Sequence, residues 1–419
     1  MKKFKKLLFL VAGAFVLSFV SFALTACGET PDPNAITISS YEEFKEFLTE
    51  YSQNDYLDLD IANEDKYVLL TNDIDCQNEV LTPLLSLDYH GLEFKIDGNG
   101  HSISNFVLDN SCIRDISTAA GTAGAAFRVL SLFPRSDGGQ LVDIEFKNVN
   151  IIANPDDDQL TTSVDPDMPW GGTYGMKIGI VGYAKSTGAN ESAESGNTNS
   201  VFQNVKITNM NVTVKNHAST ASVSEFPFSI GSLIGLDADT TNYGENLQAN
   251  SSMAIRKDIT VDNFNVSVDM VGGAVLVGGV AGQSNWERVT YDTCVVTNST
   301  FQVVNDGTTA GTYDRENANV KLNDSISLGG IIGGSVKPQH EIIIKNCQTD
   351  VDYIVESGNA ENNVNAGTLV GLVVESNSTD TDLHILNFEE NNSSTSTCKK
   401  GAVNGELTTV ETINTYTTK

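Results

Sequence analysis

Hydrophobic and polar positions alternate along this chain in short bursts. "VDIEFKNVNI" (142–151), "VKITNMNVTV" (205–214) and "ITVDNFNVSV" (259–268) are apolar at nearly every second position, the mark of a half-buried strand. A second kind of segment sets glycines around an apolar pair: "IGIVGYA" (178–184), "IGSLIGL" (230–236), "VGGVAGQ" (277–283), "LGGIIGG" (328–334) and "AGTLVGL" (366–372). Met alone, such a segment reads as a turn, a bulge or a place of close backbone approach, because glycine weakens a strand interior. Its recurrence changes the reading. The shared glycines Gly182, Gly235, Gly282, Gly333 and Gly371 lie 53, 47, 51 and 38 residues apart, an internal repeat of ragged length.

The alternating segments carry their own marker, an asparagine at the third place of "FKNVNI", "ITNMNV", "VDNFNV", "VTNSTF", "IKNCQT" and "ILNFEE": Asn148, Asn209, Asn263, Asn298, Asn346 and Asn387. Each unit therefore predicts a Gly-rich strand, a loop, a strand ending in Asn, and a further short strand. Units of short strands that vary only in their loops make a solenoid, and the expected fold is an all-β parallel β-helix. Successive coils about 4.8 Å apart would stack asparagines at a left-handed corner, their amides bonding as a ladder. The glycines would supply tight bends, with the apolar pair between them in the core. An antiparallel sandwich with Gly-rich turns also offers many short strands, but it explains neither the Asn register nor the Gly core.

The N-terminal end reads differently. Four lysines precede a 17-residue apolar run, Leu7 to Ala23, and "LTAC" ends at Cys27. This is the plan of a secretory signal, to be set apart from the fold, and the run is short for a membrane span. "LTAC" resembles the lipobox of bacterial lipoproteins, which implies cleavage before Cys27 and lipidation of its thiol; a plain anchor, or a signal with a chance cysteine, is the alternative. The expected organisation is a signal peptide over 1–26, a lipidated Cys and polar tether over 27–35, a helical cap over 36–65, the β-helix over 66–392, and over 393–419 a last ragged strand or a disordered tail. The cap is read from "ISSYEEFKEFLTEYSQ" (38–53), where Ser40 and Glu43 have capping-box spacing and Phe44, Phe47 and Leu48 form a stripe. Such a helix would cover the exposed edge of the first coil.

"YVLLTNDIDC" (67–76), "IDGNGHSISNF" (96–106) and "LSLFPRSDGGQLVDIEFKNVNI" (130–151) resemble the start of bacterial surface proteins with right-handed parallel β-helices, close to those with GLUG-type repeats and to the pectate-lyase-like superfamily. The chain departs from that pattern at "LSLFPRSDGG", where Ser131 and Pro134 stand at glycine positions. The resemblance implies the handedness; such folds host lyases, hydrolases and pure binders alike.

Composition narrows the function. The formal charge of −29 deepens to −33 without the signal's lysines, which argues against nucleic acid as a partner and leaves membrane contact to the lipid on Cys27. Beyond Cys27, Cys76, Cys112, Cys294, Cys347 and Cys398 show no metal spacing; Cys294 and Cys347 read as small buried hydrophobes, and a Cys76–Cys112 bridge is left open. No nucleophile elbow, zincin or phosphate-loop motif is present. Asp156, Asp157, Asp158, Asp165 and Asp167 crowd one loop and are candidate Ca²⁺ ligands through oxygen, although the run serves equally as a solvated surface. No other cofactor is expected. Trp170, Tyr174, Tyr183, Tyr243, Trp286 and Tyr313 lie in or beside long polar loops, where aromatic faces could stack on sugar rings or pack the loops down. The expected function is adhesion or glycan binding by an extracytoplasmic, lipid-anchored protein, with a polysaccharide or a host or cell-surface ligand as partner and no catalytic step. The alternative is a divergent polysaccharide lyase or glycoside hydrolase, Ca²⁺-dependent through the acidic loop.

Overall fold

The computed structural model describes residues 34–53, 67–85, 91–117, 126–154, 176–185, 200–216, 228–238, 254–285, 289–314, 319–336, 342–374, 386–389 and 391–418. The chain divides into two compact units, Met1–Ala35 and Ile36–Lys419, and the described residues fall almost wholly in the second. They form an all-β structure dominated by two large sheets whose pairings are mostly parallel.

One sheet collects the alternating segments. Ser102–Leu108, Gln140–Ala153, Val201–Asn216, Thr260–Met270, Val295–Asn305, Gln348–Ser357 and Thr397–Ala402 pair in that order, each parallel to the next. The other sheet collects the glycine segments. Ala126–Asp137 pairs with Lys177–Lys185, and the later members are strands broken by a sharp bend: Phe228–Gly231 with Ile234–Ala238, Val275–Gly278 with Ala281–Asn285, Ile326–Gly329 with Ile332–Val336, and Val364–Gly367 with Val370–Val374. Each repeat thus adds one rung to both sheets. The tail takes part: Thr397–Ala402 continues the first sheet and Tyr416–Thr418 the second.

Register follows the sequence repeat. Pairs on either side of each shared glycine, such as Ile234 with Val181 and Leu236 with Tyr183, align Gly182, Gly235, Gly282, Gly333 and Gly371 in one column. Ser131 pairs with Gly179, and Pro134 falls opposite Gly182. None of these column glycines has a positive φ. Their requirement is space: a Cβ on Gly371 would strike the carbonyl oxygen of Gly333, and one on Gly333 would meet the backbone of Val277 in the neighbouring rung at 2.7 Å. Glycine permits that approach and nothing larger does.

The asparagines mark two bends rather than one. Asn148, Asn209, Asn263 and Asn298 hold left-handed φ of 52–58°, and Asn105 joins them at 58°. Their amides form the expected ladder, Asn148 to Asn105 at 2.9 Å, Asn209 to Asn148 at 3.0 Å and Asn263 to Asn209 at 2.8 Å. Five residues earlier, Asp143, Asn204, Asp258 and Thr293 make a second left-handed column with φ of 51–57°. Asn346 belongs to that one: Asp292 pairs with Lys345 and Val295 with Gln348, which sets Asn346 on Thr293. The expectation that Asn346 stacks with Asn148 is therefore corrected. The rung of Asn346 is one residue shorter at the other bend, where the register shifts between Val296 and Ser299. Asn387, at the end of the expected series, pairs with Ile343 and shows no left-handed φ.

The core lies between the sheets. Ile207, Met210, Val212 and Val214 alternate inward and are succeeded on the next rung by Val261, Phe264, Val266 and Val268, all at most 2% exposed. Ring contacts continue edge to face between Phe264 and Phe301 at 5.4 Å and tilted between Phe301 and Tyr353 at 5.7 Å. The central strands of the glycine sheet are buried on both faces, every residue of Lys177–Lys185 included. At the N-terminal side the helix Tyr41–Gln53 buries Tyr41, Phe44, Phe47, Leu48 and Tyr51. Ser40 Oγ accepts from Glu43 N–H at 3.3 Å, while the Glu43 carboxylate reaches back to Ser39 N–H and Oγ at 2.7 and 2.8 Å, a capping box shifted by one residue.

Candidate ligand-binding face

Most of the residues singled out in the sequence, Cys27, Asp156, Asp157, Asp158, Asp165, Asp167, Trp170, Tyr174, Tyr243 and Trp286, lie outside the described residues. The backbone of Tyr313 lies in a two-stranded antiparallel ribbon, opposite Val320. Tyr183 is a correction. It sits inside a strand, wholly buried among Leu85, Ile116, Val129 and Leu236, so neither face of its ring can meet a sugar.

What the structure does expose is the outer side of the Asn-bearing sheet. Inward residues alternate with outward ones, and parallel register turns the outward ones into columns. One runs Asn150, Asn211, Asn265, Thr300, Asp352, Thr397; two residues further along each strand runs Ile152, Thr213, Ser267, Gln302, Ile354, Lys399. All twelve are exposed or half-buried. Rungs recur at about 4.8 Å and outward positions along a strand at about 6.6 Å, a lattice of amides and hydroxyls interrupted by Ile152, Ile354, Asp352 and Lys399.

Side chains bond across rungs and so are held in place. Asn211 donates to Asn150 at 3.3 Å and Asn265 to Asn211 at 3.4 Å. Thr208 donates to Glu145 at 2.8 Å, Thr297 to Asp262 at 3.1 Å and Thr395 to Asp350 at 2.9 Å. Asn211, which donates one N–H to Asn150, keeps a second for a ligand, whereas Asn265 donates both to Asn211 and, at 2.8 Å, to Asn263. The ladder therefore orders the face without exhausting it.

Charge is mixed along the stack: Lys147, Lys206, Lys215 and Lys399 stand among Glu145, Asp262, Asp269, Asp350, Asp352 and Glu356. At the bend beside the face, burial works to raise the Asp292 carboxyl, but the Asn346 amide, the Thr293 hydroxyl and nearby Lys345 outweigh it and hold the group below its ordinary range.

No group of three His, Cys, Asp or Glu able to hold a metal occurs among the described residues. Burial raises the Cys76 thiol to about 12 and the Cys398 thiol to about 11, which suppresses the thiolate. All five described cysteines are free thiols, Cys76 and Cys112 included. A cleft of about 360 Å³ bordered by Asp306, Thr308, Asn323 and Asp324 is structural in its polar groups, since both Asp324 oxygens accept backbone N–H bonds, from Gly273 and Thr309, at 2.8 Å.

Among the described residues Arg135, Asp137 and Lys185 form one largely buried ionic set, and two further polar sets are buried within the second unit. Arg256 and Asp237, both fully buried, form a bidentate pair at 2.9 and 2.7 Å, with Tyr291 Oη donating to the same carboxylate at 2.9 Å and the guanidinium 4.2 Å over the Phe202 ring. Lys177, Ser229 and Gln283 form the other. Neither was legible in the sequence, because their members are 19 to 106 residues apart and each has the look of an ordinary strand residue.

No protein-family model matches the chain, and no curated protein matches it. Among solved structures it is similar to the crystal structure of a candidate immunoglobulin A1 protease from Bacteroides ovatus, at 16% identity and a TM-score of 0.43, over 94% of this chain and 85% of that one.

Proposed function

We propose that this chain is a bacterial cell-surface protein, lipid-anchored through Cys27, whose two sheets are faces of one right-handed parallel β-helix and whose outer Asn-bearing face holds an extended glycan without cutting it. The helix Tyr41–Gln53 closes the first coil in this reading. The observation that carries it is the exposed lattice of Asn, Thr, Ser and Gln, in which Asn150, Asn211 and Asn265 stack in register and bond to one another. A polysaccharide laid along the stack would present hydroxyls to successive rungs, each meeting an amide or hydroxyl already fixed, so little side-chain entropy is lost on binding.

The test is a glycan-array screen of the detergent-solubilised chain, repeated with Asn211→Trp and Thr213→Lys, which place bulk and charge on the lattice without touching the core. Binding that both variants lose, with the glycan recovered at its original length, supports the reading. Binding that neither variant disturbs moves the site to the loops, and shortened glycan replaces a binder with an enzyme. Membrane fractionation of Cys27→Ser tests the anchor separately, by release of the chain into the soluble fraction.

A further inference from the structure

Lys177 opens a strand of the glycine sheet, Ser229 is its register partner on the next rung, and Gln283 comes from the rung after that. The three are 3%, 0% and 7% exposed. Lys177 Nζ stands 2.9 Å from Ser229 Oγ and 3.2 Å from Gln283 Oε1, and Ser229 Oγ donates to the same Gln283 oxygen at 2.9 Å. The carbonyl bond is short, so Cδ of Gln283 lies no more than about 4.4 Å from the amine. An amine, a carboxamide and a hydroxyl aimed at the carboxamide oxygen have been brought together in a site that excludes water.

We propose that Lys177 and Gln283 become joined by an isopeptide bond, formed by the folded chain itself and linking residues 106 positions apart. The Nζ lone pair attacks Cδ of Gln283 and the carbonyl electrons move onto Oε1, where the Ser229 hydroxyl already donates and stabilises the developing charge. Collapse re-forms the carbonyl and breaks the Cδ–Nε2 bond. The proton lost from Nζ goes to the departing nitrogen, which leaves as ammonia. Amine and carboxamide become a secondary amide and ammonia, with nothing oxidised or reduced.

Three features favour the step. Burial lowers the Lys177 amine to about 7, so an uncharged, nucleophilic fraction exists at neutral pH. The reactants are fixed by the sheets around them, which removes the entropic part of the barrier. The product also replaces a buried amine, costly when charged, by a neutral amide.

The full-length chain, folded and held at pH 8, is digested and mapped by tandem mass spectrometry. The expected result is one branched peptide containing both Lys177 and Gln283, lighter by about 17 Da than the two linear peptides together, the mass of ammonia. It should be absent from Lys177→Arg and form at least ten-fold more slowly in Ser229→Ala, and its rate in the wild type should rise from pH 6 to pH 8. Recovery of Lys177 and Gln283 only in separate linear peptides, from protein with native circular dichroism, overturns the proposal. An unchanged rate in Ser229→Ala overturns the role given to that hydroxyl.

Discussion

The Arg256–Asp237 pair offers a quantitative test of how the two sheets are fastened. Asp237 belongs to the glycine sheet, in Ile234–Ala238, while Arg256 and Tyr291 belong to Ala254–Lys257 and Val289–Asp292 of the other. Both charged groups are 0% exposed. Replacing Arg256 by Met leaves a buried carboxylate with the Tyr291 hydroxyl as its remaining donor in this set; replacing Asp237 by Leu leaves a buried guanidinium. Either single change should cost roughly 3–5 kcal/mol, because an ion is stranded out of water. Removing both strands no ion and leaves the Tyr291 hydroxyl short of an acceptor, about 1–3 kcal/mol. The double-mutant cycle should therefore show a coupling of roughly 6 kcal/mol, above the 0.5–3 kcal/mol of ordinary contacting pairs. Urea denaturation followed by circular dichroism, with the slope checked for constancy, measures all four corners. A double variant as unstable as the two singles added together would refute the argument, since the loss would then lie in packing or shape rather than in stranded charge.

Three more outcomes follow from local geometry. Thr293 holds a φ of 57° at a corner where its neighbours in the column are Asn or Asp; a β-branched residue is strained there, so Thr293→Asn should stabilise the chain by about 1 kcal/mol in the same denaturation assay, and a loss of stability would mean the hydroxyl bond to Asp292 at 3.0 Å outweighs the strain. Gly329→Ala should cost roughly 3 kcal/mol through its clash with Ile332, whereas Gly334→Ala, which meets the flexible end of Leu276 at 3.2 Å and the Leu372 carbonyl oxygen at an ordinary 3.4 Å, should cost well under 1 kcal/mol; equal costs would show that space does not select these glycines. Glu79 accepts from Tyr41 at 2.9 Å and Lys45 at 3.3 Å, and those bonds hold its carboxyl below the ordinary range. A depressed carboxylate adds stability above its unfolded pKa of about 4.3 and loses it as pH falls through the folded value, so Tyr41→Phe should flatten the acid limb of the thermal-melting profile while leaving the neutral range parallel.

Parts of this architecture were written plainly in the chain. The glycine column could be aligned from spacing alone, down to Ser131 and Pro134 standing where glycines stand later, because a close backbone approach admits one residue type and so leaves a sharp trace. The left-handed corners left a weaker one. Asn, Asp and even Thr fill them, which hid the column of Asp143, Asn204, Asp258 and Thr293 and let Asn346 pass for a member of the other. Only register, one residue short between the two bends on that rung, separates them.

The binding face is harder to see for a different reason. A sequence reader looks for aromatic residues and acids, whose chemistry is conspicuous singly; Tyr183 met that description and proved to be core. Asn150, Asn211 and Asn265 are 61 and 54 residues apart and unremarkable one at a time. They become a surface only when parallel pairing brings each within bonding distance of the next. A function carried by such a lattice is a property of the register. A one-residue slip would turn its amides into the core and its valines to water, so the inward bulk of Met210, Phe264 and Phe301, which fixes the register, is as necessary to binding as the amides that would touch the ligand. Met210→Asn should then abolish glycan binding together with the cooperative unfolding transition, whereas Asn211→Ala should weaken binding and leave that transition within about 1 kcal/mol of the wild type. Loss of binding in Met210→Asn with an unaltered transition would break the link drawn here between packing and recognition.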